Sequence, residues 1–132
     1  MSGWGVVPTI RVPDMGRALE FYSQSLGFTV ARGGPTDPNC VVTRGDARLM
    51  LEVAGGLFSA GYNEAIRNRL GSPSATALYM EAEDLDSLYA QVQEAGVEIV
   101  DPLADRPWGQ AEFTVADPHG QWLTFWRASH DE

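Results

Sequence analysis

Residues 9–30 read "TIRVPDMGRALEFYSQSLGFTV" and residues 78–99 read "LYMEAEDLDSLYAQVQEAGVEI", and the two stretches share one pattern. Each opens on a short strand-like run that ends in an aspartate, Asp14 or Asp84. A short side-chain oxygen there accepts from the free amides of a helix's first turn, so both residues read as N-caps. Apolar residues then recur at helical spacing: Met15, Ala18, Leu19 and Tyr22 in the first stretch, Leu85, Leu88, Tyr89 and Val92 in the second. Gly27 and Gly96 follow, where a left-handed residue ends a helix, and a new strand starts directly after each.

The repeat continues downstream. "CVVTRGDARLMLEV" (40–53) and "AEFTVADPHGQWLTFW" (111–126) each read strand, tight turn, strand. The turn signals are Gly45-Asp46 in one and Asp117-Pro118-His119-Gly120 in the other. Between the halves, "AGGLFSAGYNEAIRNRLGSPSA" (54–75) carries the Gly, Ser and Pro of a connector, within which residues 62–70 suit a short helix. One domain over residues 1–132 is therefore expected, with a first module at about 5–54, a connector at about 55–75 and a second module at about 76–128. Neither half has enough sheet to bury its own helix well. The expected fold class is α+β: two tandem βαβββ modules forming a curved, mostly antiparallel eight-stranded sheet, with helices on one side and a concave face on the other.

Bulk composition narrows the function classes. A chain of 132 residues with 44% hydrophobic residues is long enough to bury a core without a metal or disulfide staple. Cys40 is the single cysteine, which excludes an internal disulfide and a multi-thiolate metal site; it reads as a small buried or half-buried apolar residue. The net charge is −9 and all nine basic residues are arginines. Such a surface repels nucleic acid and anionic lipid, so neither is an expected partner, and it attracts a cationic ligand. No apolar run reaches the length of a membrane span, and the N-terminal residues lack a signal-peptide pattern, so a cytoplasmic location is expected.

Strand alternation sorts the side chains by face. Ile10, Val12, Leu49, Leu51, Val53, Leu78, Met80, Ala82, Phe113, Val115, Leu123 and Phe125 fall on the helix side. Thr9, Arg11, Met50, Glu52, Tyr79, Glu81, Glu112, Trp122, Thr124 and Trp126 fall on the opposite side, with Val7, Arg48, Ala77 and Thr114. That mixture of aromatics, carboxylates, arginines and hydroxyls is what lines a small-molecule cleft. A subunit interface, also rich in Trp and Arg, is the alternative reading.

Paired strand–helix–three-strand modules, with "ALEFYSQSLGF" (18–28) in the first and "DPHGQWLTF" (117–125) near the end, resemble the vicinal oxygen chelate superfamily. That group includes glyoxalase I, extradiol dioxygenases, fosfomycin-resistance transferases and bleomycin-resistance proteins. The resemblance implies a divalent metal held by His and Glu at four places: seven residues before each capping Asp, near the end of the first half, and four residues after the glycine of the "DPxG" turn. Here those places carry Val7, Ala77, Glu52 (or Met50 if the register differs by two) and Thr124. One carboxylate among them cannot hold zinc, nickel or iron, so no metal and no other cofactor is expected. His119 in a turn and His130 in the tail read as solvated histidines.

"VPTIRVPD" (7–14) and "RPWGQAEFTVADPHG" (106–120) are similar to the bleomycin-resistance branch. That similarity implies a metal-free acidic homodimer that sequesters a cationic, aromatic antibiotic, with Trp108 of "PWG" stacking on it. Trp108 as a loop anchor against Phe113 or a partner subunit is the alternative, and Arg106 is expected to orient that loop or pair with Asp105. Glu52, Glu81 and Glu112 are the expected partners of positive groups. "GGPTDPNC" (33–40) offers no second stacking aromatic. Non-catalytic binding of a small cationic or aromatic molecule is thus expected, with no catalytic residues. A glyoxalase- or dioxygenase-like enzyme with Glu52 as general base, and a dimer whose concave face binds another protein, are the competing readings.

Overall fold

The computed structural model describes residues 5–55, 59–70 and 75–129; His130 lies outside them. The chain divides into two compact units, Met1–Leu70 and Gly71–Glu132. In the first, β1 (Thr9–Arg11) leads into α1 (Met15–Glu20), which runs straight into a π-helical turn (Phe21–Ser25). Then come β2 (Thr29–Arg32), β3 (Asn39–Arg44), β4 (Ala47–Glu52) and α2 (Ala60–Arg69). The second has β5 (Ala77–Glu81), α3 (Leu85–Glu94), β6 (Glu98–Arg106), β7 (Gln110–Ala116) and β8 (Trp122–Ala128). The eight strands are hydrogen-bonded four and four. Strand order is β1-β4-β3-β2 in one sheet and β5-β8-β7-β6 in the other, so the two βαβββ modules have the same topology. In each, the first and last strands pair in parallel and the other neighbours are antiparallel.

Local chemistry accounts for most boundaries. Asp14 caps α1, its carboxylate accepting from the Arg17 amide at 2.9 Å. Asp84 precedes α3 but makes no capping bond, so the two aspartates are not equivalent. Gly27 and Gly96 both have positive φ, 78° and 74°, where each helical segment ends. The π turn is closed by the Leu26 amide donating to the Phe21 carbonyl at 3.2 Å. It turns Tyr22 fully inward, edge-on to Phe21 and Phe28.

Most of the alternation read from the sequence is reproduced in burial, although Val53 and Leu78 of the helix side are half-buried and Glu52, Thr114 and Thr124 of the opposite side are buried too. Ile10, Val12, Leu49, Leu51, Met80, Ala82, Phe113, Val115, Leu123 and Phe125 are all buried. Tyr89 of α3 lies 4.9 Å from the Phe113 ring, which itself contacts Phe125, so this is the helix-covered face. Cys40 sits in the core of the first unit, and burial pushes its thiol pKa up. The connector's helix belongs to the first unit: the Asn63 side-chain amide accepts from the Gly55 N–H and donates to its carbonyl, at 2.9 and 2.8 Å. The turn before β8 is organised by buried Asp117, whose Oδ1 accepts from the His119 and Gln121 amides, both at 2.8 Å. No helix among the described residues is long and apolar enough to cross a membrane.

Urea unfolding should separate the two kinds of contribution. Phe125→Ala should cost about 3–5 kcal/mol, the range for emptying a buried aromatic site. Asp117→Ala should cost about 1–3 kcal/mol, because it leaves two turn amides without their acceptor.

Candidate functional site

Strand register assigns the residues of each uncovered face. In the first unit Thr9 pairs with Met50 and Arg11 with Glu52, while β3 sets Asn39 against Glu52 and Val41 against Met50. In the second, Ala77 pairs with Trp122, Tyr79 with Thr124 and Glu81 with Trp126, while β7 sets Thr114 against Thr124 and Glu112 against Trp126.

The repeat also fixes which residues occupy the four metal-ligand places. Thr9–Met50 corresponds to Tyr79–Thr124, so the counterpart of Thr124 is Met50, and Glu52 is the counterpart of Trp126. The set is therefore Val7, Met50, Ala77 and Thr124. Two hydrocarbon side chains, a thioether and a hydroxyl do not suit a divalent cation that takes nitrogen, thiolate or carboxylate ligands. Both polar members are already engaged. Thr9 Oγ1 approaches Met50 Sδ at 3.8 Å, and Thr124 shares a buried 2.7 Å hydroxyl–hydroxyl hydrogen bond with Thr114. Among the described residues no three His, Cys, Asp or Glu side chains form a group able to hold a metal.

In the first unit Glu52 is only 8% exposed and is held from two sides. Asn39 Nδ2 donates to its Oε2 at 3.0 Å, and Arg11 Nε lies 3.2 Å from its Oε1. Arg11 Nε makes no aligned hydrogen bond, so charge rather than geometry holds this pair. The relay extends outward at both ends: Arg32 donates to Asn39 Oδ1, and Arg11 donates to the Tyr62 hydroxyl. Glu52 is thus an internal counter-ion, which argues against its roles as a free acceptor for a ligand cation and as a general base. Arg11, Tyr62, Ala65, Ile66 and Arg69 line a pocket of about 270 Å³.

The second unit gathers the aromatics. Tyr79 stacks on Trp126 with ring centres 6.0 Å apart and planes at 18°. Its hydroxyl lies 2.6 Å from both Gln110 Oε1 and Glu112 Oε1. One phenolic proton serves one acceptor at a time, and the carboxylate is the stronger. Trp108 Nε1 donates to the same Glu112 oxygen at 3.2 Å. Trp108, Tyr79 and Trp122 remain 62%, 52% and 48% exposed. Glu81 is also exposed, on the edge strand beside Trp126.

The "PWG" loop presents Trp108 for a local reason. Arg106 pairs with Gln110, so Pro107, Trp108 and Gly109 form a three-residue hairpin loop. Gly109, at φ 86°, fills the left-handed position such a loop demands. Trp108 is held by Glu112, with no ring contact to the inward-facing Phe113. Arg106 pairs with Asp101 and not with Asp105; β6 is irregular between Asp101 and Ala104, which breaks simple alternation there.

Of the sequence-derived residues, Thr9, Arg11, Met50 and Glu52 belong to the first unit. Tyr79, Glu81, Trp108, Glu112, Trp122, Thr124 and Trp126 belong to the second. Thr124 is buried, and its hydroxyl is spent on Thr114. Sequence reading missed Asn39, Tyr62 and Gln110. Tyr62 and Ile66 carried a usable signal, an i, i+4 pair in a stretch otherwise read as connector.

Comparison with known proteins agrees with this architecture. The sequence profile of the Glyoxalase/Bleomycin resistance protein/Dioxygenase superfamily matches residues 6–125. A bleomycin resistance protein of Geobacillus stearothermophilus is 27% identical, over 92% of this chain and 94% of its own length. The crystal structure of TioX from Micromonospora sp. ML1 superposes with a TM-score of 0.69 at 21% identity, covering 94% of this chain and 99% of that one. A superfamily member from Sphaerobacter thermophilus superposes with a TM-score of 0.68 at 24% identity, covering 92% and 96%.

Tyr79 offers a titration that reports on the cluster. Burial, and then its bond to Glu112, push its pKa above the usual 10.0. The folded cluster favours the protonated phenol. Its contribution to stability is therefore fully present below about pH 10 and is lost as pH rises through the elevated pKa. Subtracting the tyrosinate absorbance titration of Tyr79→Phe from that of the parent should isolate one group with its midpoint above 10.0. A midpoint at or below that value would contradict the upward push of burial and Glu112 together. From the profile match across nearly its whole length and the shared topology of its two halves, this chain belongs to the Glyoxalase/Bleomycin resistance protein/Dioxygenase superfamily.

Proposed function

We propose that the protein binds a small cationic, aromatic molecule without transforming it, in the manner the name of its bleomycin-resistance relatives suggests. The observation that carries this reading is the cluster of Trp108, Tyr79 and Trp126 around Glu112. Three aromatic side chains partly open to solvent beside one carboxylate supply flat surface and negative charge together. Stacking on such a surface contributes about 0.5–1.5 kcal/mol beyond the area buried, and a cation over an aromatic ring a comparable amount.

Electrostatics supports the same ligand class. Among the described residues the bonds to Glu112 come from neutral donors, the Tyr79 hydroxyl and the Trp108 N–H, while the nearby Arg106 guanidinium is paired with Asp101. Glu81 and Trp122 are exposed on the same face and extend it. The net charge of −9 draws positive ligands towards the protein. The donor set at the four metal places supports binding over metal-assisted turnover. In this reading the protein acts as a homodimer in the cytoplasm, as a sequestering or carrier protein, and native mass spectrometry should find a two-chain species.

Metal-free bleomycin and the planar cation proflavine are suitable probes. Saturable quenching of tryptophan fluorescence by at least one is expected. Trp108→Ala and Glu112→Gln should each weaken it about five- to tenfold, corresponding to roughly 1–1.4 kcal/mol. Absence of saturable quenching by both probes, or unchanged affinity in both variants, would remove this reading.

A further inference from the structure

The pocket in the first unit has chemistry opposite to that of the aromatic cluster. Its wall is one stripe of α2: Tyr62, Ala65, Ile66 and Arg69 stand at i, i+3, i+4 and i+7 and so share a helix face. Arg11 of β1 closes the other side, its guanidinium carbon 5.8 Å from the centre of the Tyr62 ring. Ile66 is buried, whereas Arg69 is exposed and has no hydrogen-bond or ion-pair partner among the described residues. Two of the nine arginines therefore converge on about 270 Å³ of space in a strongly acidic protein.

Charge and shape narrow the ligand. Glu52 offsets one of the two guanidinium charges, through Arg11 Nε. The pocket keeps an excess of one positive charge, which suits a monoanion. Arg11 Nε is buried against Glu52 as an ion pair and one Nη2 hydrogen goes to Tyr62, and a guanidinium carries five N–H donors in all. Among the described residues the other three have no partner and are left to grip an anion, and a planar fork matches a carboxylate in the two-point manner an ammonium cannot. Ile66, Ala65 and the Tyr62 ring give an apolar wall against which a flat body packs. The volume lies just under the roughly 300–1,000 Å³ typical of drug-sized ligands, so the occupant is smaller than those.

We propose that this pocket between β1 and α2 binds a small aromatic monocarboxylate, its carboxylate held by Arg11 and Arg69 and its ring packed against Tyr62, Ala65 and Ile66. The site is separate in residues and in ligand charge from the aromatic cluster of the second unit, and it stands whether or not that cluster binds a cation.

Calorimetric titration of the full chain with 2-naphthoate, its neutral amide and the cationic 2-naphthamidine tests it. Saturable 1:1 binding of the carboxylate is expected, with the amide and the amidine at least tenfold weaker. Arg69→Gln, an exposed position whose change should leave the unfolding midpoint unaltered, should weaken the carboxylate at least tenfold. The same variant should leave tryptophan quenching by proflavine as it is in the parent. Equal affinity for carboxylate and amidine, no saturable carboxylate binding, or undiminished binding to Arg69→Gln would overturn the proposal. Loss of proflavine quenching in the parent alone would count only against the cation reading of the second unit.

Discussion

A parallel pair of strands cannot be closed by a tight turn; the chain must cross over, and a helix is the usual crossing. In each unit the first and last strands form such a pair, β1 with β4 and β5 with β8. The crossover helix takes one face of the sheet, and the residues of that face become core. Period-two alternation then delivers the remaining side chains of two strands distant in sequence to the other face as neighbours. Arg11 meets Glu52, and Tyr79 meets Thr124, for this reason. The same constraint in both halves makes their positions comparable. That comparison identifies Met50, rather than Glu52, as the counterpart of Thr124.

The two uncovered faces differ in how they treat a carboxylate. Glu52 is buried beside a guanidinium and a carboxamide, and its charge is consumed inside the protein. Removing a carboxylate from water is costly unless an opposite charge and hydrogen bonds accompany it, and here both do. Glu112 lies in a more open setting and is braced by a phenol and an indole, which orient it without neutralising it. One carboxylate thus holds an arginine in place, and the other remains a negative group among aromatic rings. A chain with a net charge of −9 therefore sets two arginines around a pocket in one unit and a carboxylate among aromatic rings in the other.

How legible this was depended on the length of chain each feature involves. The helix in 9–30, its cap at Asp14, the glycine stops and the buried set Leu123 and Phe125 follow from nearby residues, and they read correctly. The non-equivalence of Asp84 did not, because capping depends on the backbone angles of the residue, here φ −88° and ψ 35°, and not on its type. Arg106 went to Asp101 instead of Asp105 because an irregularity in β6 changed which side chains share a face. Trp108 stood out by its motif, and its exposure follows from the Pro-Trp-Gly loop. Its hold on Glu112 required knowing that the loop is a hairpin.

By itself the sequence determined the repeat, the superfamily and most of the inward set on β1, β4, β5, β7 and β8, since all of these are carried by residue type and short-range spacing. Only tertiary structure decided that Glu52 is tied to Arg11 and Asn39, that Tyr79, Trp126, Trp108 and Glu112 form one cluster, and that a helix read as connector forms a pocket wall with Tyr62, Ile66 and Arg69. Each of those depends on strand register and helix docking. These bring together residues many positions apart, and a one-residue shift of a strand would have sent every side chain to the opposite face.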